Sequence, residues 1–171
     1  MRLPPSEPLA AEATFQPVNG YEFRGSAQKI QSLDVPEFVI SGPSETGKTV
    51  AALVRLNNLA WQYPGFQGAI VRKVRRDMDG TVLQTWKHII ANQPVSVFGG
   101  NKPEWFDYPH GSRIWVGGMD RPGNVLSGDR DAIYVNQAEE LELQDWETCT
   151  TRTTGRAGHL PFGGQTFGDC N

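Results

Sequence analysis

The sequence predicts an α/β fold, a three-layer sandwich around a mostly parallel central sheet. Three observations carry that expectation. Strand-like and helix-like segments alternate along the chain, a glycine-bounded loop joins the first such strand to the first long helix, and apolar residues in the helix-like segments recur at spacings near 3.6. A chain of 171 residues with 38% hydrophobic side chains has the material for one core. Residues 1–20, with four prolines, read as a partly ordered leader, and residues 21–171 read as one domain.

Taken in order, Tyr21 to Leu33 is expected to form a short helix or turn. Val35 to Ser41 (VPEFVIS) reads as a buried parallel strand, rich in Val, Ile and Phe and running straight into glycine. Thr49 to Tyr63 follows as a helix with Val50, Leu53, Val54, Leu56, Leu59, Ala60 and Trp61 on its apolar side, and Pro64-Gly65 ends it. Gly68 to Val74 is the second strand, and the second helix spans about Asp77 to Asn92 with Val82, Leu83, Trp86, Ile89 and Ile90 facing inward. Trp105 to Gly117 resembles a hairpin turning at Pro109-His110-Gly111. Ala132 to Val135 is a further buried strand, an acidic helix starts near Leu143, and Gln165 to Gly168 is one more short strand. The tryptophans sit in apolar patterns and are expected in the core rather than as stacking platforms.

Composition excludes several classes. The net charge of −3 gives no overall attraction to nucleic acid or anionic membrane, so any such contact has to be local. Cys149 and Cys170 cannot supply a disulfide framework or a four-thiolate zinc site, and a reduced, cytosolic protein is the default expectation. The first residues lack a signal-peptide core, and no run approaches the ~20 apolar residues of a membrane span.

The chemistry concentrates in Gly42-Pro43-Ser44-Glu45-Thr46-Gly47-Lys48-Thr49, which fits the P-loop pattern GxxxxGK[ST] at every defined position. Glycines at 42 and 47 let the backbone fold tightly around phosphate, with exposed N–H groups facing the anion and the next helix presenting its positive end. Lys48 is positioned for the β and γ phosphates, and Thr49 supplies a hydroxyl to Mg²⁺. An ATPase also needs acids at the end of a neighbouring strand, and the candidate, Asp131 to Leu141, ends its strand in the amides Asn136 and Gln137. Asn136 has a carbonyl oxygen for a metal-bound water, but Gln137 cannot accept a proton as glutamate does. Either Glu139 or Glu140 substitutes, or Gln137 only positions water, or hydrolysis is weak.

Together with GPSETGKT, the segments IVRKVRRD, YPHGSRIWVGGMDRPGNVLSGDRDAIYVNQAEEL, DWE and the terminal FGDCN resemble, in order, the N-terminal ATPase part of a tailed-phage terminase large subunit. The resemblance covers roughly residues 21–171. It implies ATP and Mg²⁺ as cofactors, with Lys48 and Thr49 on phosphate and metal and Asn136 and Gln137 where that family has its Walker B acid and catalytic glutamate. Gly168, Asp169, Cys170 and Asn171 resemble its coupling motif, and Gln28 occupies a place from which related motors bond adenine. An arginine must neutralise the transferring phosphoryl group, from this chain or a neighbour, and Arg72, Arg152 and Arg156 are the candidates. Implied partners are double-stranded DNA, a portal protein, a small terminase subunit and further copies in a ring, although the isolated domain is compatible with a monomer. The implied location is the cytoplasm of an infected bacterium. The family's nuclease domain has no counterpart in this sequence, so no nuclease activity is expected. Two other classes stay open: a nucleotide-binding or regulatory module with little turnover, which the amides at 136 and 137 favour, and a kinase or small-molecule transferase, for which no acceptor signature is visible.

Overall fold

The computed structural model describes residues 21–171, so the expected leader lies outside the described residues. The described part begins with α1 (Gly25–Lys29) and a 3₁₀ turn (Ile30–Ser32), then β1 (Glu37–Ser41), α2 (Lys48–Gln62) and β2 (Gln67–Arg72). A 3₁₀ turn (Arg75–Met78) leads to α3 (Val82–Ile90), followed by β3 (Ser96–Phe98), β4 (Trp105–Asp107) and β5 (Arg113–Gly118). The last part holds α4 (Gly123–Leu126), β6 (Ala132–Val135), a 3₁₀ turn (Ala138–Glu140), α5 (Leu143–Arg152) and β7 (Gln165–Cys170).

The seven strands form one sheet in the order β1-β7-β6-β2-β5-β4-β3. The first five in that order are parallel, and β5-β4-β3 is the antiparallel end. Alternation of side chains along each strand then sorts the core into two layers. Ile70, Ile114, Tyr134 and Phe167 pack with Leu53 and Leu56 of α2 and Trp86 of α3 on one face. Ala69, Val71, Ile133 and Val135 pack with Val125, Leu126 and Cys149 on the other. These are the three layers expected from the sequence. No helix among the described residues is long and apolar enough to cross a membrane.

Four details differ from the sequence expectation. Among the described residues β1 is an edge strand, paired only with β7, and its exposure alternates: Phe38 and Ile40 are half-buried while Val39 is 49% exposed. A short apolar run reveals strand propensity but not how many neighbours cover it. The second helix starts at Val82 because Asp77's carbonyl accepts from the Thr81 hydroxyl (2.6 Å) and from Arg72 (3.0 Å), which leaves a 3₁₀ turn before Gly80. Strand β3, three exposed residues between Pro94 and Gly99, has no inward face to announce it; Phe98 stacks on Trp105 with ring centroids 3.9 Å apart. Of the five tryptophans only Trp86 is fully buried, while the others lie half-exposed at the borders of the two layers.

Buried polar groups tie the layers to the site. Arg55 of α2 donates to Gln165 at the start of β7 (2.8 Å) and to the carbonyls of Gln31 (2.7 Å) and Leu33 (2.6 Å), which fixes α2 against the sheet. Because α2 carries the 42–49 loop at its head, its packing decides where that loop sits. Leu56→Ala, at a fully buried position, is expected to lower unfolding stability by about 2–5 kcal/mol. Leu143→Ala, at a position 73% exposed, should change it by under about 0.5 kcal/mol; urea-midpoint measurements on both variants check this.

Candidate functional site

Parallel strands put all their carboxyl ends at one edge, where open α/β sheets bind ligands. At that edge lie the 42–49 loop after β1, Asp169 and Asn171 at the end of β7, Asn136 and Gln137 after β6, and Arg72 at the end of β2. These predicted residues meet because β7 inserts between β1 and β6.

The loop itself is built on left-handed turns. Gly47 has φ 79°, which suits glycine, and Glu45 adopts φ 64°, a conformation that costs a side-chain-bearing residue about 1–2 kcal/mol. Residues 43–47 are exposed, and the Ala51 amide closes the first turn of α2 on the Gly47 carbonyl (2.9 Å). The amides before it are the unpaired donors of a 15-residue helix, so the loop faces solvent with positive polarity. The Lys48 ammonium donates to the carbonyls of Gly42 (2.6 Å) and Pro43 (2.5 Å) and to the Asn171 side-chain oxygen (3.3 Å). Its charge is thereby held at the loop mouth.

Behind the loop lies a compact polar cluster. The Thr49 hydroxyl donates to Asp169 Oδ2, while Asp169 Oδ1 accepts from the Gln137 amide (2.8 Å) and from Asn136 Nδ2 (3.2 Å). Asn136 Nδ2 also reaches the Tyr134 hydroxyl at 3.2 Å. Burial, reinforced by the Asp169 charge, pushes the Tyr134 phenol well above the ordinary tyrosine range, so it remains a neutral hydroxyl. Asn171 completes the set, its amide donating to Glu139 Oε1 at 3.3 Å. Gly168 permits the tight fit: a Cβ there would come within 3.0 Å of both the Ala138 side chain and the Val135 carbonyl. Tyr134 escaped the sequence reading because an aromatic in a buried strand looks like any core residue. Asp169 was visible as an acid near the end of the last strand, but its contact with the loop threonine was not.

A second cluster flanks the first. Arg72, 8% exposed, clasps Glu140 through Nε (3.0 Å) and Nη2 (2.7 Å), and Nη2 also donates to the Gln137 side-chain oxygen (2.7 Å). The hydrogen bonds from Arg72 draw the Glu140 carboxyl below the usual glutamate range. Gln137 sits at φ 53°, a strained turn that both Arg72 and Asp169 hold in place. The rest of the basic run has local partners: Lys73 pairs with Asp145 (2.7 Å), Arg75 with Asp79 (2.8 Å), and the 88%-exposed side chain of Arg76 lies 3.5 Å from Asp77. Asp145 is also half of a reciprocal cap with Glu142 at the start of α5.

Three predicted residues stand apart. Arg152 and Arg156 are exposed and border residues 129–131, which precede β6 at the amino end of the strands, opposite the loop. Within one chain they do not approach the 42–49 segment. Gln28 is exposed on α1 and makes no side-chain hydrogen bond among the described residues; its neighbour Gln31 instead donates to the Ala51 carbonyl (2.9 Å) in the first turns of α2.

No protein-family model matches the chain, and no curated protein matches it significantly. Solved structures do share its fold. The large terminase of a thermophilic bacteriophage superposes with a TM-score of 0.69 at 10% identity, over 88% of this chain and 39% of that one. A further crystal form of that terminase is a complex with ADP, with a TM-score of 0.60 at 14% identity over 78% and 33% of the two chains. The large terminase ATPase domain of Thermus phage P74-26 gives 0.64 at 17% identity, over 90% of this chain and 66% of that one. The N-terminal domain of the bacteriophage phi29 DNA packaging ATPase gives 0.58 at 16% identity, over 84% and 76%. The chain thus spans about 39% of the first of these terminases, and at these identities what it shares with all three phage proteins is the fold of a packaging ATPase domain.

Proposed function

We propose that residues 21–171 are the ATPase domain of a phage DNA-packaging terminase large subunit, binding Mg²⁺-ATP and coupling its hydrolysis to movement of double-stranded DNA into a procapsid. The observation that carries this reading is the wiring of the loop: Lys48 and Thr49 both bond directly to the end of β7, and β7 bonds to the end of β6. The fold shared with phage packaging ATPases supports the same assignment. In such a protein the host cytoplasm is the place of action, and a portal, a small terminase subunit and other copies in a ring are the partners.

The donor set suits the cofactors. Amides of residues 44–48 and the Lys48 ammonium match a polyphosphate, and Thr49 Oγ1 is a hard oxygen donor of the kind Mg²⁺ takes. Asn136 turns its amide nitrogen toward Asp169 and Tyr134, leaving an Oδ1 that accepts from no described residue and can hold the metal or its water. Magnesium, when bound, supplies charge neutralisation at the phosphates. Gln137, anchored by Arg72, is an orienting group for the attacking water rather than a base. Between the two glutamates the base role falls to Glu139. Glu140 has both oxygens on Arg72 and a lowered proton affinity, whereas Glu139 accepts a hydrogen bond only from the Asn171 amide among the described residues. A change at the phosphates reaches β7 through Asn171 and Asp169, which makes residues 168–171 the coupling segment; residues 124–130 are a second segment proposed to move with phosphate loss.

Lys48→Ala is expected to weaken ADP binding about 10–100-fold, the ~1.5–3 kcal/mol of a hydrogen bond to a charged group. Titration calorimetry measures it, and equal affinity in wild type and variant would remove the basis of the assignment.

For turnover, Glu139→Gln should lower phosphate release by about 10²-fold or more, while Glu140→Gln should retain most of it. Wild-type binding of ADP without phosphate release, with or without DNA, would identify a nucleotide-binding module instead.

A further inference from the structure

The β6 end has no acid, yet the cluster it joins contains one. Asp169 is 3% exposed, and no lysine, arginine or histidine forms an ion pair with it among the described residues. Taking a carboxylate out of water without a counter-charge is costly, and hydrogen bonds offset that cost only in part. Here the Gln137 amide, Asn136 Nδ2 and the Thr49 hydroxyl all donate to it. Each of these is a neutral donor. The arrangement holds a negative charge ready beside the loop threonine without cancelling it.

The direction of one of those bonds adds chemistry. Thr49 gives its proton to Asp169, so the lone pairs of Thr49 Oγ1 are left for another electropositive group, and the carboxylate makes that oxygen a stronger donor. Register places the carboxylate where such a group would sit. Asp169 pairs with Ile40, two residues before the loop begins, and its strand neighbour Gly168 pairs with Val135, the residue before Asn136. An acid one strand nearer the loop than β6 thus reaches the space between Thr49 and Asn136.

We propose that Asp169, on β7, is the carboxylate that binds the nucleotide-associated divalent cation, directly or through its water, and so takes over the metal-side role that Asn136 cannot fill with a charge. Asn136 then acts as a positioning residue, its amide nitrogen orienting Asp169. This assignment rests on the phosphate-loop reading and goes beyond a purely coupling role for residues 168–171. It also makes coupling direct, because the residue that meets the metal belongs to the segment that transmits the change.

The test uses the isosteric variant Asp169→Asn and the exchange Asn136→Asp/Asp169→Asn, with Mn²⁺ as the probe. Calorimetry measures ADP affinity in EDTA and in Mg²⁺, and electron paramagnetic resonance measures Mn²⁺ bound in the presence of ADP. Asp169→Asn is expected to keep the ADP affinity seen in EDTA, to lose the gain from Mg²⁺, and to bind Mn²⁺ about 10–100-fold more weakly. The exchange variant, with the acid restored one strand away, should regain Mn²⁺ binding. Unchanged Mn²⁺ binding in Asp169→Asn overturns the proposal while leaving the phosphate-loop reading intact. So does an exchange variant that is folded by circular dichroism but binds Mn²⁺ no better than Asp169→Asn; if Asp169→Asn alone fails to fold, the exchange variant compared with wild type decides in the same way. A folded wild-type chain that binds no ADP in either condition overturns the phosphate-loop reading, and the proposal with it.

Discussion

The insertion of β7 between β1 and β6 is the constraint on which the rest of the site depends. Parallel pairing on both sides aligns Asp169 with Ile40 and Gly168 with Val135, so residues 168–171 lie between the 42–49 loop and the β6 end. Without that strand, Thr49 and Asn136 would have no common partner. With it, a single buried carboxylate holds the hydroxyl of one, the side-chain amide of the other and the backbone of Gln137. Low local dielectric strengthens each of these bonds and makes the loss of any one expensive.

The two faces of the sheet have different tasks. The α2 and α3 face carries the larger aromatic and aliphatic core, and through Arg55 it fixes the helix that follows the 42–49 loop. The opposite face is lighter, and α5 is joined to the sheet partly by the Lys73–Asp145 pair and by Trp146, whose indole donates to Glu37 at 2.8 Å. At the antiparallel end, Phe98, Trp105 and Trp115 run across three strands, with the Arg113 guanidinium 4.7 Å from the Trp105 ring centroid. That rim supports β5, which in turn flanks β2 and Arg72.

Arg72 shows how one side chain separates two neighbouring acids. By occupying both oxygens of Glu140 and the side-chain oxygen of Gln137, it ties the turn after β6 to β2 and draws the Glu140 carboxyl below the usual glutamate range. Glu139, one residue earlier on the same 3₁₀ turn, faces Asn171 and the Lys48 side. The division follows from turn geometry, since adjacent residues on a tight helix diverge in direction.

Much was legible in the chain alone. Most strand and helix identities followed from apolar periodicity, and the turn at residues 42–49 from its glycine spacing, because both are local properties that survive without knowledge of neighbours. Strand order was not local: nothing in VPEFVIS states that it lies at an edge, and nothing in FGDCN states that its aspartate meets a threonine 120 residues earlier. Proton affinity, the pairing of Glu140 with Arg72 and the distance of Arg152 and Arg156 from the loop were likewise settled by packing. Those properties depend on which groups share a desolvated space, and only the folded sheet decides that.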